Sequence, residues 1–173
     1  VKPFRSRIPN GNGYLNGAVA CVSNMSELER RMVNDPVIRD YPFLLQQRIV
    51  GYGAGVFVIA REGKILATFG HRRIREKPPS GGVSVLSESV PIEPEVRRAA
   101  ERLILESGWN GPAMVEFKVD GQGNPYLMEV NARFWGTLQL SVDAGVDFPS
   151  ILLQSNTSSF SSNKSAYRVG TRN

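Results

Sequence analysis

Glu116, Glu129, Asn131 and Arg133 have side chains suited to phosphate chemistry, and the last three alternate along LMEVNARFWG, residues 127–136. In an extended strand successive side chains point to opposite faces. The spacing therefore predicts one face carrying a carboxylate, an amide and a guanidinium, and an opposite face where Met128, Val130 and Ala132 pack on a core. A half-buried antiparallel strand with a solvated outer face alternates in the same way, so the neighbouring segments must decide.

The preceding AMVEFKV, residues 113–119, alternates too, with Met114, Glu116 and Lys118 on one face and Val115, Phe117 and Val119 on the other. DGQGN, residues 120–124, is a turn that makes the two segments a hairpin. With a loop at residues 121–124 pairing Asp120 with Pro125, Glu116 falls opposite Glu129 on the same face, and a one-residue slip would separate them. Two carboxylates opposed across a sheet repel each other unless something cationic lies between. Glu116, Glu129 and the amide oxygen of Asn131 are hard oxygen ligands suited to Mg²⁺ or Mn²⁺, and magnesium usually completes its octahedron with waters and substrate phosphates. Arg133 on the same face suits a phosphate, or the charge that develops on one as it is transferred.

The rest of the composition narrows the chemistry. The chain has 173 residues, enough for one domain or two small lobes with a real core. One cysteine, Cys21, and one histidine, His71, exclude an internal disulfide and a Cys/His zinc site. No leader pattern and no apolar run of membrane-spanning length is present, which points to a reducing, cytoplasmic setting without a membrane partner. A net charge of +5 and a pI of about 9.7 raise nucleic acid as a partner. The densest basic stretch, Arg72, Arg73, Arg75 and Lys77, lacks the aromatic-studded strand of a common RNA-binding sheet, so a small phosphorylated ligand is the favoured reading.

The elements that must position these residues form a small α+β lobe and a larger sheet. VKPF reads as the end of a strand, residues 5–17 as a glycine- and asparagine-rich loop, and AVACV as a short apolar strand holding Cys21 in the core. Ser26 and Glu29 have capping-box spacing for a helix that ends before Asp35 and Pro36. PFLLQQRIV reads as a strand, and GVFVIA with KILATFG as a hairpin across Arg61, Glu62 and Gly63. HRRIREKPPSGG, from His71 onward, reads as a loop whose Gly81 and Gly82 let backbone N–H groups approach an anion. Residues 94–107 carry Val96, Ala99, Ala100, Leu103 and Ile104 at helical spacing, with Gly108 to end the helix. Two further short helices are expected, in TLQLSVDAG and from Pro149, before a Ser/Asn-rich loop or linker at residues 155–165.

GPAMVEFKVDGQGNPYLMEVNARFWG resembles the metal-binding hairpin of the ATP-grasp superfamily, in which an acid in the first strand is followed by Glu-x-Asn and often an Arg in the second. The resemblance extends from Val1 to Gln154 and is nearest in flavour to carbamoyl-phosphate-synthetase-like and biotin-carboxylase-like ligases. It implies an ATP-grasp fold, with a small lid lobe (residues 1–48), a larger antiparallel sheet flanked by helices (residues 49–154) and a C-terminal segment (residues 155–173). It implies that Glu116, Glu129 and Asn131 hold magnesium or manganese and that Arg133 lies near the reacting phosphate. Lys2 would contact ATP phosphates, although on residue types alone it is a solvated terminal lysine. Gln47, Arg48 and Ile49 would meet adenine on a hinge strand, although on residue types alone this is a buried strand. Gln47 and Gly53 depart from the acidic residues usual near those places. His71, Arg73 and Arg75 would hold phosphate or an anionic co-substrate, against the plain alternative of a solvated basic loop.

The implied activity is ligation. ATP phosphorylates a small carboxylate substrate, and an amine or other nucleophile attacks the resulting acyl phosphate. The superfamily has a further subdomain before the VKP strand, so the expectation is a fragment, weak or inactive alone, of a larger ligase. The alternatives are a module that binds nucleotide without turning it over and, third, a basic nucleic-acid-binding domain.

Overall fold

The structure, a computed structural model, describes residues 1–5, 7–77, 83–155 and 166–173. These form two compact units, residues 1–48 and 49–173.

In the first unit β1 (Lys2–Pro3) pairs with β4 (Phe43–Leu44), and β2 (Arg7–Asn10) pairs with β3 (Gly13–Asn16). The segment expected to be a loop is thus largely a hairpin. Gly11 supplies the positive φ of 55° that its turn needs, and the Arg7 guanidinium lies 4.5 Å from the Tyr14 ring centre. Helix α1 (Met25–Asn34) begins two residues earlier than Ser26 suggests. Asn24 is the cap, its side-chain oxygen accepting from the Glu27 N–H, while Glu27 accepts from the Ser23 N–H. The helix stops where expected, and Asp35 then caps an unforeseen α2 (Pro36–Asp40), with Pro36 in the first turn where no N–H is needed. Val1, Leu28 and Ile38 form the small core. AVACV is not a strand and Cys21 is exposed, because the segment's backbone is joined to Val1 at Ala20 and not laid along a sheet. Only Phe43 and Leu44 of PFLLQQRIV are strand.

The second unit is built on a five-stranded antiparallel sheet in the order β7-β6-β5-β8-β9. Strand β5 (Gly51–Arg61) turns through Glu62 and Gly63, both with positive φ, into β6 (Lys64–Lys77). His71, Arg72, Arg73 and Arg75 therefore lie on a strand and not in the expected loop: β6 continues past them, paired with β7 (Val83–Ser89). Gly81 and Gly82 lie outside the described residues, as does most of the expected Ser/Asn-rich loop. Helix α3 (Pro94–Glu106) packs Val96, Ala100 and Ile104 on Val56, Val58, Val115, Phe117 and Val119. Its outer face carries Arg98–Glu95 and Arg102–Glu106 ion pairs. On the opposite side of the sheet α4 (Leu138–Ala144) and α5 (Phe148–Ser155) cover Phe57, Ile59 and Phe69, with Trp135 between.

The two edges of this sheet differ. Beside β7 the chain returns, Ser87 exchanging backbone hydrogen bonds with Asn173 and Ser89 bonding Thr171 and Gly170. At the other edge, β9 (Pro125–Asn131) leaves Met128 53% and Val130 36% exposed, and Ala132 beyond it is exposed too. The core face expected for these three residues is not realised. An edge strand has a neighbour on one side only, and the α3 side of the sheet is filled by β5 and β8 side chains.

Candidate active site

The hairpin of β8 (Gly111–Asp120) and β9 places Glu116 directly opposite Glu129, as the chemistry of the pair requires, by a different route from the one expected. The turn is one residue longer. Val119 pairs with Pro125, and the Asp120 carboxylate closes the loop by accepting from the N–H groups of Gln122 and Asn124. A plain ladder from that turn would set Glu116 against Met128. A register shift between Phe117 and Glu116 absorbs Met128 and restores the alignment with Glu129.

This pair ends a row that crosses all five strands. Ser89, His71, Gly55, Glu116 and Glu129 are each opposite the next, and so share one face. One step along the strands the same face becomes Phe69, Phe57, Met114 and Asn131. The floor between the polar side chains is glycine. A Cβ on Gly53 would enter open space, whereas one on Gly55 would sit 3.2 Å from the Phe57 ring. Gly53 and Gly55 flank Ala54 in alternation, a period-two signal in the sequence that marks this cleared strip and that sequence reasoning missed.

Arg73 donates to Glu116 Oε1 at 2.7 Å, Asn131 Nδ2 donates to Glu129 Oε1 at 2.9 Å, and Arg133 reaches Asn131 Oδ1 at 3.5 Å. His71 is buried, its ring edge-on to Phe57 at 4.5 Å and its Nδ1 3.2 Å from the Thr137 hydroxyl. Burial, aided by the charge of Arg73, brings its pKa down to about 4. At neutral pH the ring is uncharged in the ligand-free protein, so a contact of His71 with phosphate would be a hydrogen bond from a neutral imidazole. Thr137, which follows the WG at the end of the motif, was not singled out in the sequence.

The remaining expected residues lie outside that row. Arg75 is exposed and pairs with Leu86 beyond a register shift. Lys2 is exposed on β1 in the first unit. Gln47 and Arg48 are exposed and Ile49 half-buried, in a non-strand segment between β4 and β5. The hinge strand expected there is absent, since pairing resumes only at Gly51.

Among the described residues no group of three or more His, Cys, Asp or Glu side chains could hold a metal. The Glu116, Glu129 and Asn131 set fits magnesium on other grounds. It supplies hard oxygen donors too few to enclose an ion, and magnesium characteristically keeps waters and substrate phosphates in its shell.

A family model described as "ATP-grasp in the biosynthetic pathway with Ter operon" matches residues 39–172. The chain belongs to this ATP-grasp family. Solved structures of similar fold include the L-amino acid ligase from Bacillus licheniformis, at 23% identity over 66% of this chain and 31% of that one, TM-score 0.50. They also include the biotin carboxylase domain of Hydrogenobacter thermophilus 2-oxoglutarate carboxylase, complexed with MgADP and bicarbonate, at 19% identity over 80% and 33%, TM-score 0.58. The Staphylococcus aureus N5-carboxyaminoimidazole synthetase complexed with ADP is similar at 13% identity over 89% and 41%, TM-score 0.59. This ATP-grasp chain thus spans about a third of the length of such proteins. No curated protein matches it. No described helix is long and apolar enough to cross a membrane.

Proposed function

We propose that this ATP-grasp chain carries the metal- and phosphate-handling part of an ATP-dependent carboxylate–amine ligase. The observation that supports this reading is the opposition of Glu116 and Glu129 across the bulged hairpin, with Asn131 at the end of the same strand. Arg133, which lies in the bend just beyond β9 and not on the strand face expected for it, reaches Asn131.

In the proposed reaction an oxygen of a small carboxylate substrate attacks the γ-phosphorus of ATP, the bond to the β–γ bridging oxygen breaks, and ADP leaves. An amine then attacks the acyl carbon, the bond to the phosphate oxygen breaks, and the nitrogen loses its proton as phosphate departs. When bound, magnesium (or manganese) would supply positive charge that offsets the charge moving with the phosphoryl group. Glu116, Glu129 and Asn131 would hold that ion, and Arg133 would bind the transferred phosphate as a planar, permanently charged donor. His71, Arg75 and Arg73, which is paired with Glu116, remain candidates for phosphate or co-substrate contact. Lys2, as an ATP-phosphate ligand, and Gln47, Arg48 and Ile49, as adenine contacts, are proposals that rest on family resemblance.

A nucleic-acid reading is less well supported, because Arg72 is paired with Glu88 and Arg73 with Glu116, so the basic stretch is partly neutralised within the fold. Thermal unfolding with ATP, with and without Mg²⁺, tests the proposal, since a ligand of the native state raises its stability. The expected result is a magnesium-dependent rise that is absent in Glu129→Gln. A rise that survives the substitution would exclude the hairpin as the metal site.

A further inference from the structure

Each of the three candidate metal ligands already has an oxygen engaged by a donor from the chain itself. Glu116 Oε1 accepts from Arg73, Glu129 Oε1 from Asn131, and Asn131 Oδ1 from Arg133. Only the first of these brings a full positive charge onto a carboxylate, across two strands and 43 positions of sequence. Without a cation, Glu116 and Glu129 would be like charges placed directly opposite each other, a destabilising arrangement. The pair lies partly out of water, with the Glu116 side chain 20% exposed and that of Arg73 38%.

We propose that Arg73 is a positioning residue that stands in for the metal: its guanidinium holds Glu116 in the metal-free protein and gives up Oε1 when a divalent cation enters. This rests on the proposed metal site and goes beyond it by assigning the metal-free state of that site and the residue that controls entry. Guanidinium and metal contend for one oxygen, so each must weaken the other's hold by the same factor. Arg73 is attached to the sheet, so the displaced charge stays beside the site. There it can meet the phosphate oxygens that arrive with the metal, in place of the carboxylate it has left.

Direct Mn²⁺ binding, followed by the loss of the free-ion paramagnetic resonance signal, tests this in the intact chain without any turnover. Arg73→Ala should tighten Mn²⁺ by roughly three- to tenfold, the range of a partly exposed charged hydrogen bond expressed as an equilibrium ratio. It should also lower the melting temperature of the metal-free protein more than that of the Mn²⁺-loaded one. Arg73→Lys keeps the charge and should return affinity toward wild type. Lys118→Met removes a cation two residues along the Glu116 strand, on the same face, and should change affinity by less than about twofold because solvent and salt screen it. Glu129→Gln should abolish binding.

If Glu129→Gln abolishes binding while Arg73→Ala leaves it unchanged or weakens it, Arg73 is not a stand-in and the metal site survives. Equal tightening by Arg73→Ala and Lys118→Met would reduce the effect to general electrostatics and also overturn the inference. Wild-type binding no better than that of Glu129→Gln would remove the metal site itself, and the inference with it.

Discussion

The two halves of one sheet face behave as different materials although they are separated by a single step along each strand. In one half Phe57, Phe69, Trp135 and Phe148 exclude water, with Phe57 and Trp135 ring centres 4.5 Å apart and Trp135 and Phe148 at 5.0 Å. In the other, the same strands present His71, Gly55, Glu116 and Glu129. Strand pairing is continuous through both. What changes is the cover, because Trp135, α4 and α5 pack over the aromatic rows and the glycine strip holds nothing tall enough to meet a helix. Core and candidate active site are thus one surface divided by side-chain height, and the site inherits its rigidity from the core beside it.

The largest expected effect lies in the covered half. Phe57→Ala should cost about 3–5 kcal/mol, read from the urea midpoint, because it empties a fully buried aromatic position. A small change would mean that the aromatic half is not the core of this face.

His71 lies on the dividing line, and its effect should appear as a pH dependence. With a folded pKa near 4 against 6.5 for the free side chain, the unfolded chain binds the extra proton between those values. Stability should therefore be complete above about pH 6.5 and fall by roughly 3 kcal/mol as the pH drops toward 4, and His71→Gln should flatten that part of the profile. An unchanged slope in the variant would place the buried proton linkage elsewhere.

Glu129→Gln belongs wholly to the open half. It should leave the urea midpoint nearly unchanged while removing the stabilisation by MgATP, which is about 2.7 kcal/mol for a native-state ligand at a hundred times its Kd. Large destabilisation without ligand would show that the carboxylate row is structural and not functional.

The finest comparison is between two glycines. Gly55→Ala should lose about 1–3 kcal/mol, since its Cβ would press on the Phe57 ring at 3.2 Å, whereas Gly53→Ala, with open space above it, should be close to neutral in stability. Equal losses would move the boundary between core and site by a full row.

The elements that were legible in the sequence are those whose pairing is local or whose face is uniform. Val115, Phe117 and Val119 alternate with Glu116 and Lys118 and are buried under α3 as their spacing predicts. Val96, Ala100 and Ile104 likewise face the sheet. The errors cluster where a partner distant in sequence decides. Arg72, Arg73 and Arg75 read as a loop because they are polar and precede a proline- and glycine-rich stretch, yet β7 gives their backbone a ladder. Cys21 and Met128 looked like core, but no second layer reaches them. Period-two alternation states which residues share a face and is silent about whether that face is covered.

By itself the sequence nominated Glu116, Glu129 and Asn131 for the candidate site and put the two carboxylates opposite each other. Residue types and their period-two spacing placed Glu129 and Asn131 on one strand face, and the mutual repulsion of two carboxylates argued for Glu116 opposite Glu129 with a cation between. The tertiary structure alone decided how that alignment is reached and what accompanies it. A longer turn and a register shift at Met128 compensate each other, and an arginine 43 positions away closes on Glu116. The physical reason is that side-chain chemistry and strand periodicity are local properties of the chain. Register, cover and charge pairing across strands depend instead on which distant segments the whole fold brings into contact.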